Sequence, residues 1–441
     1  MSSFEQKITP GFLVRFTLPS IVMMVFNSFY TMVDGGFVSN FVGTDALSAV
    51  NIVFPVMNLV LAIGIMLATG GSAVVAKQMG EGKLDKARQN FSLIAVWGVG
   101  LGIVIGLLGV LCTDFFVTIL GANAATYGYC YDYLFYMSLF TPFCILQLFF
   151  QFFFVTAGKP NLGLASTVAG GVANMVLDYV LIVPGDLGIA GAAIATGIGW
   201  CIPAVVGIAY FTAKRNELLW FVKPVSSAKT MLKTCANGSS EMVSNLAVAI
   251  TTYLFNIIMM QKLGSDGVAA MTIVFYAQFL FTAVFFGYTS GVAPLFSFHY
   301  GAQNEKQLQR LFRSSLWFFI VCSIAACLAS ILLAKQVVGI FAQSESDVFE
   351  LASHGMNLFA IGFLFMGLNI FASGLFTALS NGKVSAILSF LRTFVFIVLA
   401  IYLLPKWLEV NGIWLAIPVA EFLALLVAVW YMVRLRPHYR Y

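Results

Sequence analysis

Long apolar stretches alternate with short polar breaks along the whole chain. About twelve of these stretches are long enough to cross a bilayer, which takes roughly 20 mostly apolar residues in a helix. They lie near residues 15–40, 46–76, 91–113, 127–157, 162–183, 189–213, 232–261, 267–298, 312–338, 348–379, 384–404 and 411–434. The connections between them are short. The pattern predicts an all-α integral membrane protein with twelve transmembrane helices and no soluble domain.

The composition agrees with this interpretation. Of the 441 residues, 60% are hydrophobic and 9% are charged, whereas soluble domains carry about 25% charged residues. The lipid bilayer is therefore the expected partner, and the net charge of +5 does not by itself indicate nucleic acid. Seven scattered cysteines form no CxxC or Cys/His cluster, so neither a disulfide framework nor a zinc site is expected. We expect a monomer without a cofactor.

The positive charges predict the orientation of the chain. With the spans above, twenty Lys and Arg residues fall at the two termini and in the loops on the same side. Only Lys262, Lys335 and Lys406 fall on the opposite side. Because cytoplasmic loops are enriched in Lys and Arg, both termini are predicted to lie in the cytoplasm. The N-terminus lacks a short apolar core with a small-residue cleavage site, so no signal peptide is expected. The cell membrane is the predicted location.

The sequence repeats itself at a fixed spacing. GTDALSAVNIVF (43–54) aligns with GSDGVAAMTIVF (264–275) at a shift of 221 residues. The same shift takes Gly80 to Gly301. A shift that holds across most of a half indicates duplication.

The repeat predicts how the chain is divided. Residues 1–213 form an N-terminal six-helix lobe and residues 231–441 a C-terminal one, with residues 214–230 as a cytoplasmic linker. Six spans in each half make the repeats parallel. Secondary transporters of this plan bind their substrate between the halves.

Four acidic residues lie well inside predicted spans: Asp34, Asp178, Glu241 and Glu421. An acid at the middle of a membrane helix costs roughly 2.5–3.5 kcal/mol, and such residues usually mark ion paths or proton relays. From the helix rise of ~1.5 Å per residue, Asp178 is ~9 Å, Thr196 ~10 Å and Asp34 ~13 Å from the outer ends of their spans. These three groups therefore share a level in the N-terminal half.

Polar companions accompany the two N-terminal acids. Asn174 and Asp178 are separated by four residues, and Asn27, Tyr30 and Asp34 form one helical stripe. Oxygen ligands suit a hard cation such as Na⁺, and a close carboxylate pair also suits proton exchange. The predicted coupling-ion site is Asp34, Asn174, Asp178 and Thr196, with Tyr30 beside it. The alternative is that Asp34 and Asp178 only join helices through hydrogen bonds, and Asn27 and Tyr30 are open to either interpretation.

The second half does not repeat this cluster. The shift maps Asp34 to Phe255, Asp178 to Leu399 and Thr196 to Ile417. Coupling is therefore predicted to be asymmetric and located in the N-terminal half.

The acids of the second half have other predicted roles. Glu241 lies on a stripe with Asn237 and Asn245, where it either contacts a cationic substrate or satisfies neighbouring helices. Arg392 and Glu421 lie on consecutive antiparallel spans at similar depth, which predicts a buried structural ion pair.

Several motifs of the chain resemble those of bacterial members of the multidrug and toxic compound extrusion (MATE) family. They are LPS at 18–20, VDGGFV at 33–38, GTDALSAV at 43–50, NMVLDYVLI at 174–182 with LGIAGAAIAT at 187–196, and VNGIWLAIPVAE at 410–421. The resemblance implies two six-helix lobes in a V and cation-driven export of organic, often cationic amphiphiles. It places the N-lobe cation site on Asp34, Asn174, Asp178 and Thr196, with Tyr30 nearby and Pro19 as the bend of the first helix.

The resemblance also bears on the branch of the family. Some members have a C-lobe cation site with an acid in the tenth helix. Here that stretch, GLNIFASGLFTAL at 367–379, has no acid. The resemblance therefore favours a DinF-like arrangement over a NorM-like one.

Two other functions compete with a multidrug efflux antiporter. A lipid-linked oligosaccharide flippase of the same superfamily would show a more cationic cavity, whereas only Arg392 lies inside a span here, with Arg15 and Lys233 near span ends. An intramembrane aspartyl enzyme could use Asp34 and Asp178, but the duplicated halves argue against it. No P-loop or cofactor-binding motif stands in a suitable context. The sequence thus predicts a secondary transporter and not an enzyme.

Overall fold

The computed structural model describes residue 4, residues 6–343 and residues 346–441. All regular elements in this part of the chain are helical. The α-helices are α1 (Pro10–Phe37), α2 (Thr44–Gly80), α3 (Leu84–Leu111), α4 (Thr113–Ile119), α5 (Tyr127–Leu139), α6 (Thr141–Thr156), α7 (Pro160–Ile182), α8 (Gly188–Ala213), α9 (Ala228–Gly301), α10 (Glu305–Leu332), α11 (Ala334–Val338), α12 (Asp347–Phe359), α13 (Phe363–Ala378), α14 (Gly382–Phe390), α15 (Phe396–Leu403), α16 (Pro405–Trp414) and α17 (Ala416–Tyr439). Two π-helical turns, Val38–Val42 and Leu391–Val395, follow α1 and α14.

Several helices begin at residues that the polar breaks supply. The Thr9 hydroxyl accepts a hydrogen bond from the Phe12 amide at 3.2 Å, and Pro10 opens α1. Ser227 caps α9 and Asn304 caps α10 in the same way. Such side chains accept from amides that have no partner within the helix, which stabilises its first turn.

The number of membrane crossings agrees with the predicted twelve. Within the described residues, ten helices are long and apolar enough to span, and the bent pair of α5 and α6 provides one more. The 74-residue α9 counts once among these, but it is divided at Gly264, which has φ 66° and ψ −153°. Both parts of α9 are long enough to cross. The all-α membrane fold is therefore confirmed, and the division of α9 brings the eleven candidate spans to the predicted twelve.

One predicted span is bent and one predicted boundary was wrong. The fourth span, predicted near 127–157, is made of α5 and α6, which meet at an angle of 56°. Pro142 lies in the first turn of α6, and a proline favours a break there because it has no amide hydrogen to bond to the preceding turn. The last span begins at Ala416 instead of residue 411, because residues 405–414 form the separate short helix α16.

The first part of the linker is fixed to the N-terminal half. The Lys159 ammonium pairs with Glu217 at 2.9 Å. The Arg88 guanidinium lies 3.4 Å from the ring centre of Trp220. Helix α9 starts at Ala228, slightly before the predicted lobe boundary at 231. The division of the chain into two lobes around residues 214–230 stays a prediction.

At one end of the bundle, α2 and the second part of α9 touch through glycine. A Cβ atom on Gly80 would collide with the Phe298 carbonyl, and one on Gly301 would collide with the Lys77 carbonyl. Lys77 and Phe298, like Gly80 and Gly301, are one repeat apart. The contact is therefore reciprocal, and it brings the two halves of the repeat into backbone contact at this end.

Enlarging Gly80 is expected to open this end of the bundle. Leucine there cannot fit, because the atoms it would meet belong to the α9 backbone. Spin labels at Lys83→Cys and Lys306→Cys, both exposed positions, should report a longer distance in Gly80→Leu than in the parent. Gly100→Leu is the matched control, since a Cβ at Gly100 meets nothing within 4 Å. An unchanged distance in Gly80→Leu would show that the contact does not hold this end closed.

Candidate ion-binding site and central cavity

Close packing of α7 on α8 assembles the first part of the site. A Cβ on Gly170 would lie 2.5 Å from the Gly199 carbonyl oxygen. At this crossing the Asn174 amide nitrogen donates a hydrogen bond to the Thr196 hydroxyl at 3.3 Å, and both side chains are buried. The structure thus brings together two of the predicted ligands from different helices.

The two carboxyl groups lie next to each other. Helix α1 supplies Asp34 and packs on α7, which supplies Asp178. Asp178 is fully buried, and the two side chains are close enough to interact directly. Among the described atoms, neither carboxylate oxygen of Asp178 receives a hydrogen bond, and the Oδ1 of Asp34 receives none either. Two ionised carboxylates are acceptors only, so they can bond to each other only when one carries a proton.

A small cavity lies alongside this pair, with space for about one water-sized molecule. Side chains and glycines of four spans line it: Asn27, Tyr30, Gln147, Thr167, Gly170, Gly171, Asn174, Thr196, Gly199 and Trp200. The predicted residues Asn27, Tyr30, Asn174 and Thr196 are among them. Asp34 and Asp178 are not in this lining and lie about one helical turn beyond Tyr30 and Asn174.

Three residues of the site were missed at the sequence level. Tyr133 is buried and lies near both acids. Trp200 lies within reach of the Tyr30 hydroxyl, and Gln147 lines the cavity. A signal for two of them existed: Tyr133 is ~9 Å inside the fourth predicted span, as deep as Asp178, and Trp200 is one turn after Thr196.

The donor set is made of oxygen atoms. The Asn174 amide nitrogen is used by Thr196, which leaves its Oδ1 buried and without a donor. Together with the two carboxyls, this oxygen suits a hard cation or a proton and not a soft metal. Binding a positive charge would also remove the repulsion between the carboxylates. The residues present therefore fit either Na⁺ or H⁺.

A second cavity lies between the two halves of the chain. Its lining comes from α2, α6, α9 and α13: Thr69, Ser72, Ala73, Phe152, Glu241, Phe286, Thr289, Ser290, Ala293, Gly374, Thr377 and Ala378. Glu241 is the acidic member of that lining. The stripe around it is held by hydrogen bonds, because the Asn237 amide donates to the Thr377 carbonyl at 3.2 Å and the Asn245 amide to the Glu241 carbonyl at 2.8 Å.

Arg392 and Glu421 form an ion pair in the second half. The Arg392 Nε lies 2.9 Å from one Glu421 oxygen and 3.0 Å from the other. Asn369, which was missed at the sequence level, donates its amide to the same carboxylate at 2.6 Å and to the Glu421 carbonyl at 2.8 Å. Glu421 is only 3% exposed.

Pro19 lies inside α1, which continues as a helix through it. It is buried, and α1 packs against α9. The predicted bend at Pro19 stays a prediction.

Comparison with known proteins gives a consistent result. The family model MatE matches the chain twice, at residues 19–180 and 241–402, and the two matches start within one residue of the 221-residue repeat. The multidrug export protein MepA of Staphylococcus aureus is 22% identical over 426 residues, covering 96% of this chain and 94% of that protein. The outward-facing structure of a multidrug resistance MATE family transporter of the MOP superfamily is 22% identical with a TM-score of 0.91, covering 98% of this chain and 97% of that one. A MOP superfamily transporter from Pyrococcus furiosus, described as having a binding pocket of reversed polarity, is 22% identical with a TM-score of 0.90 over the same shares.

Proposed function

Because the chain belongs to the MatE family, we propose that it is a secondary active exporter of organic, cationic or amphiphilic compounds in exchange for H⁺ or Na⁺. As a family member it is a multi-pass membrane transporter and not an enzyme. The observation that carries the coupling proposal is the pair of half-buried Asp34 and fully buried Asp178, beside a cavity lined by oxygen ligands.

The proposed coupling begins at that pair. Two partly desolvated carboxylates repel each other unless a proton or cation lies between them. An ion that binds from outside removes the repulsion and lets α1 change its bend at Pro19. Helix α1 packs on α9, which carries Phe286 and Thr289 of the central cavity. The change therefore alters the wall of that cavity and displaces the exported molecule.

The central cavity is the proposed substrate site. Glu241 offers a negative charge to a cationic group, while Phe152 and Phe286 offer apolar surface. The relative MepA is a multidrug export protein, which supports drug-like small molecules as the substrate class. The proposed branch is DinF-like, because α13 carries no acid that could form a second ion site.

The proposed function is tested in vesicles with separately imposed gradients. Reconstituted wild-type protein should expel a fluorescent lipophilic cation in response to at least one of the two gradients, pH or Na⁺. Glu241→Gln should lower the apparent affinity for this cation more than for an uncharged analogue of the same shape. Equal losses for both compounds would argue that Glu241 does not contact the charge, and no response to either gradient would reject ion-driven export.

Both termini and the linker are proposed to lie in the cytoplasm. Ser226 is exposed in the part of the linker that follows the fixed segment. In a variant whose native cysteines are replaced, Ser226→Cys should react with a membrane-impermeant thiol reagent only in inside-out vesicles. Reaction in intact cells would reverse the proposed orientation.

A lipid-linked oligosaccharide flippase is the weaker alternative. Such a protein needs cationic side chains for diphosphate groups, and Arg392 is already paired with Glu421.

We propose a monomer with no nucleic-acid partner.

A further inference from the structure

The repeat aligns the ion-pair residues of the second half with cavity residues of the first. The shift of 221 places Arg392 at the position of Gly171 and Glu421 at the position of Trp200. Both Gly171 and Trp200 line the small cavity beside Asp34 and Asp178. The Arg392–Glu421 pair therefore occupies the place in the second half that corresponds to the ion cavity of the first.

The side chains next to this position also differ in size between the two halves. In the first half, a Cβ on Gly171 would collide with the Phe26 ring and would lie 3.4 Å from the Tyr30 ring. The equivalents of these two residues in the second half are the small Ala247 and Thr251. In the first half, the large rings of Phe26 and Tyr30 face Gly171. In the second half, the small Ala247 and Thr251 take the places of the rings, and the long Arg392 takes the place of the glycine.

The second-half pocket resembles an ion site that already holds its cation. The Glu421 carboxylate is buried and receives Arg392 Nε on both oxygens. Asn369 is 3% exposed, and its Oδ1 is buried with no hydrogen-bond donor among the described atoms. A buried carboxylate and a neighbouring amide thus bind a cation in the second half, as carboxyl and amide oxygens form the first-half site.

We propose that Arg392 is a tethered cation that blocks a latent ion site in the second half. Its guanidinium takes the role there that an exchangeable proton or monovalent cation takes at Asp34 and Asp178. The second half therefore exchanges no ion, and one ion-binding site operates in each transport cycle. Removal of the guanidinium opens a site at Glu421 and Asn369. This inference rests on the proposed ion coupling of the first half.

The test measures ion binding to purified full-length protein in detergent, in a background that lacks the first-half acids. In Asp34→Asn/Asp178→Asn, ²²Na⁺ binding and proton uptake between pH 5 and pH 9 serve as the baseline. Adding Arg392→Ala should add one bound proton or one bound Na⁺ per molecule. Adding Glu421→Gln to that variant should remove the gain, and Arg392→Lys should show no gain because its ammonium keeps the pocket occupied.

Two controls keep the result decisive. Arg392→Met preserves the aliphatic volume, so it replaces Arg392→Ala if the latter does not elute as a single folded species. No gain over the baseline in a folded Arg392→Ala or Arg392→Met variant would overturn the proposal, as would a gain that survives Glu421→Gln. Na⁺ binding and proton uptake in the Asp34→Asn/Asp178→Asn baseline that equal those of the wild type would instead contradict the first-half coupling site, so the two failures are distinguishable.

Discussion

Asp178→Asn is expected to abolish gradient-driven export while leaving substrate binding in place. Asp178 is fully buried beside Asp34, so its amide analogue fits the space but supplies no charge. One charge that crosses a potential of 100 mV supplies about 2.3 kcal/mol, which sustains a concentration ratio of about fiftyfold. The variant should sustain no ratio above that of empty vesicles, measured as steady-state substrate accumulation under an imposed gradient.

The matched control for this prediction is Asp186→Asn. Asp186 is an exposed acid in the turn between α7 and α8, and its φ of 51° is one that asparagine also adopts. This variant should export as the wild type does. Full export by Asp178→Asn would remove that carboxylate from the coupling mechanism, whatever the control shows.

Glu421→Gln is expected to lower the stability of the protein more than loss of the whole ion pair does. It leaves the Arg392 guanidinium, whose side chain is 14% exposed, without its carboxylate. Removal of one partner of a buried pair costs roughly 3–5 kcal/mol, whereas replacement of both by apolar residues is often neutral. Thermal unfolding in detergent should therefore give a much lower Tm for Glu421→Gln than for Arg392→Met/Glu421→Leu.

The double-mutant comparison separates this effect from ordinary packing loss. Glu81→Gln serves as a control, because its ion pair with Lys83 lies at the surface and such pairs contribute about 0–1 kcal/mol. If the Arg392→Met/Glu421→Leu protein is less stable than Glu421→Gln, an unpaired guanidinium is not the source of the destabilisation.

The spans and the acids could be predicted because the membrane imposes simple requirements. A helix in lipid must be long and apolar, so Asp34, Asp178, Glu241 and Glu421 stood out against their surroundings. The break in the fourth span was visible only as Pro142 within an apolar run, which can also be a kink in one helix. The bend of the fourth span therefore came from local backbone chemistry and not from hydrophobicity.

Contacts between distant helices were harder to predict. Tyr133 lies at the predicted depth of Asp178, but it is one of many aromatic residues in its span, so depth alone does not single it out. Asn369 also gave no indication of its partner, since its hydrogen bonds go to a residue on α17. By contrast, the pairing of Arg392 with Glu421 was predictable from depth, because consecutive antiparallel spans place equal depths side by side.

The most direct test of the central claim is the linkage between ion and substrate binding. Substrate affinity is measured in detergent with and without Na⁺ and at two pH values, for the wild type, Asp178→Asn and Pro19→Ala. Linkage requires that the ion weaken substrate binding by the same factor by which substrate weakens ion binding. We expect a clear and reciprocal effect in the wild type, a reduced one in Pro19→Ala and none in Asp178→Asn. Substrate affinity that is indifferent to both Na⁺ and pH in the wild type would contradict ion exchange through Asp34 and Asp178.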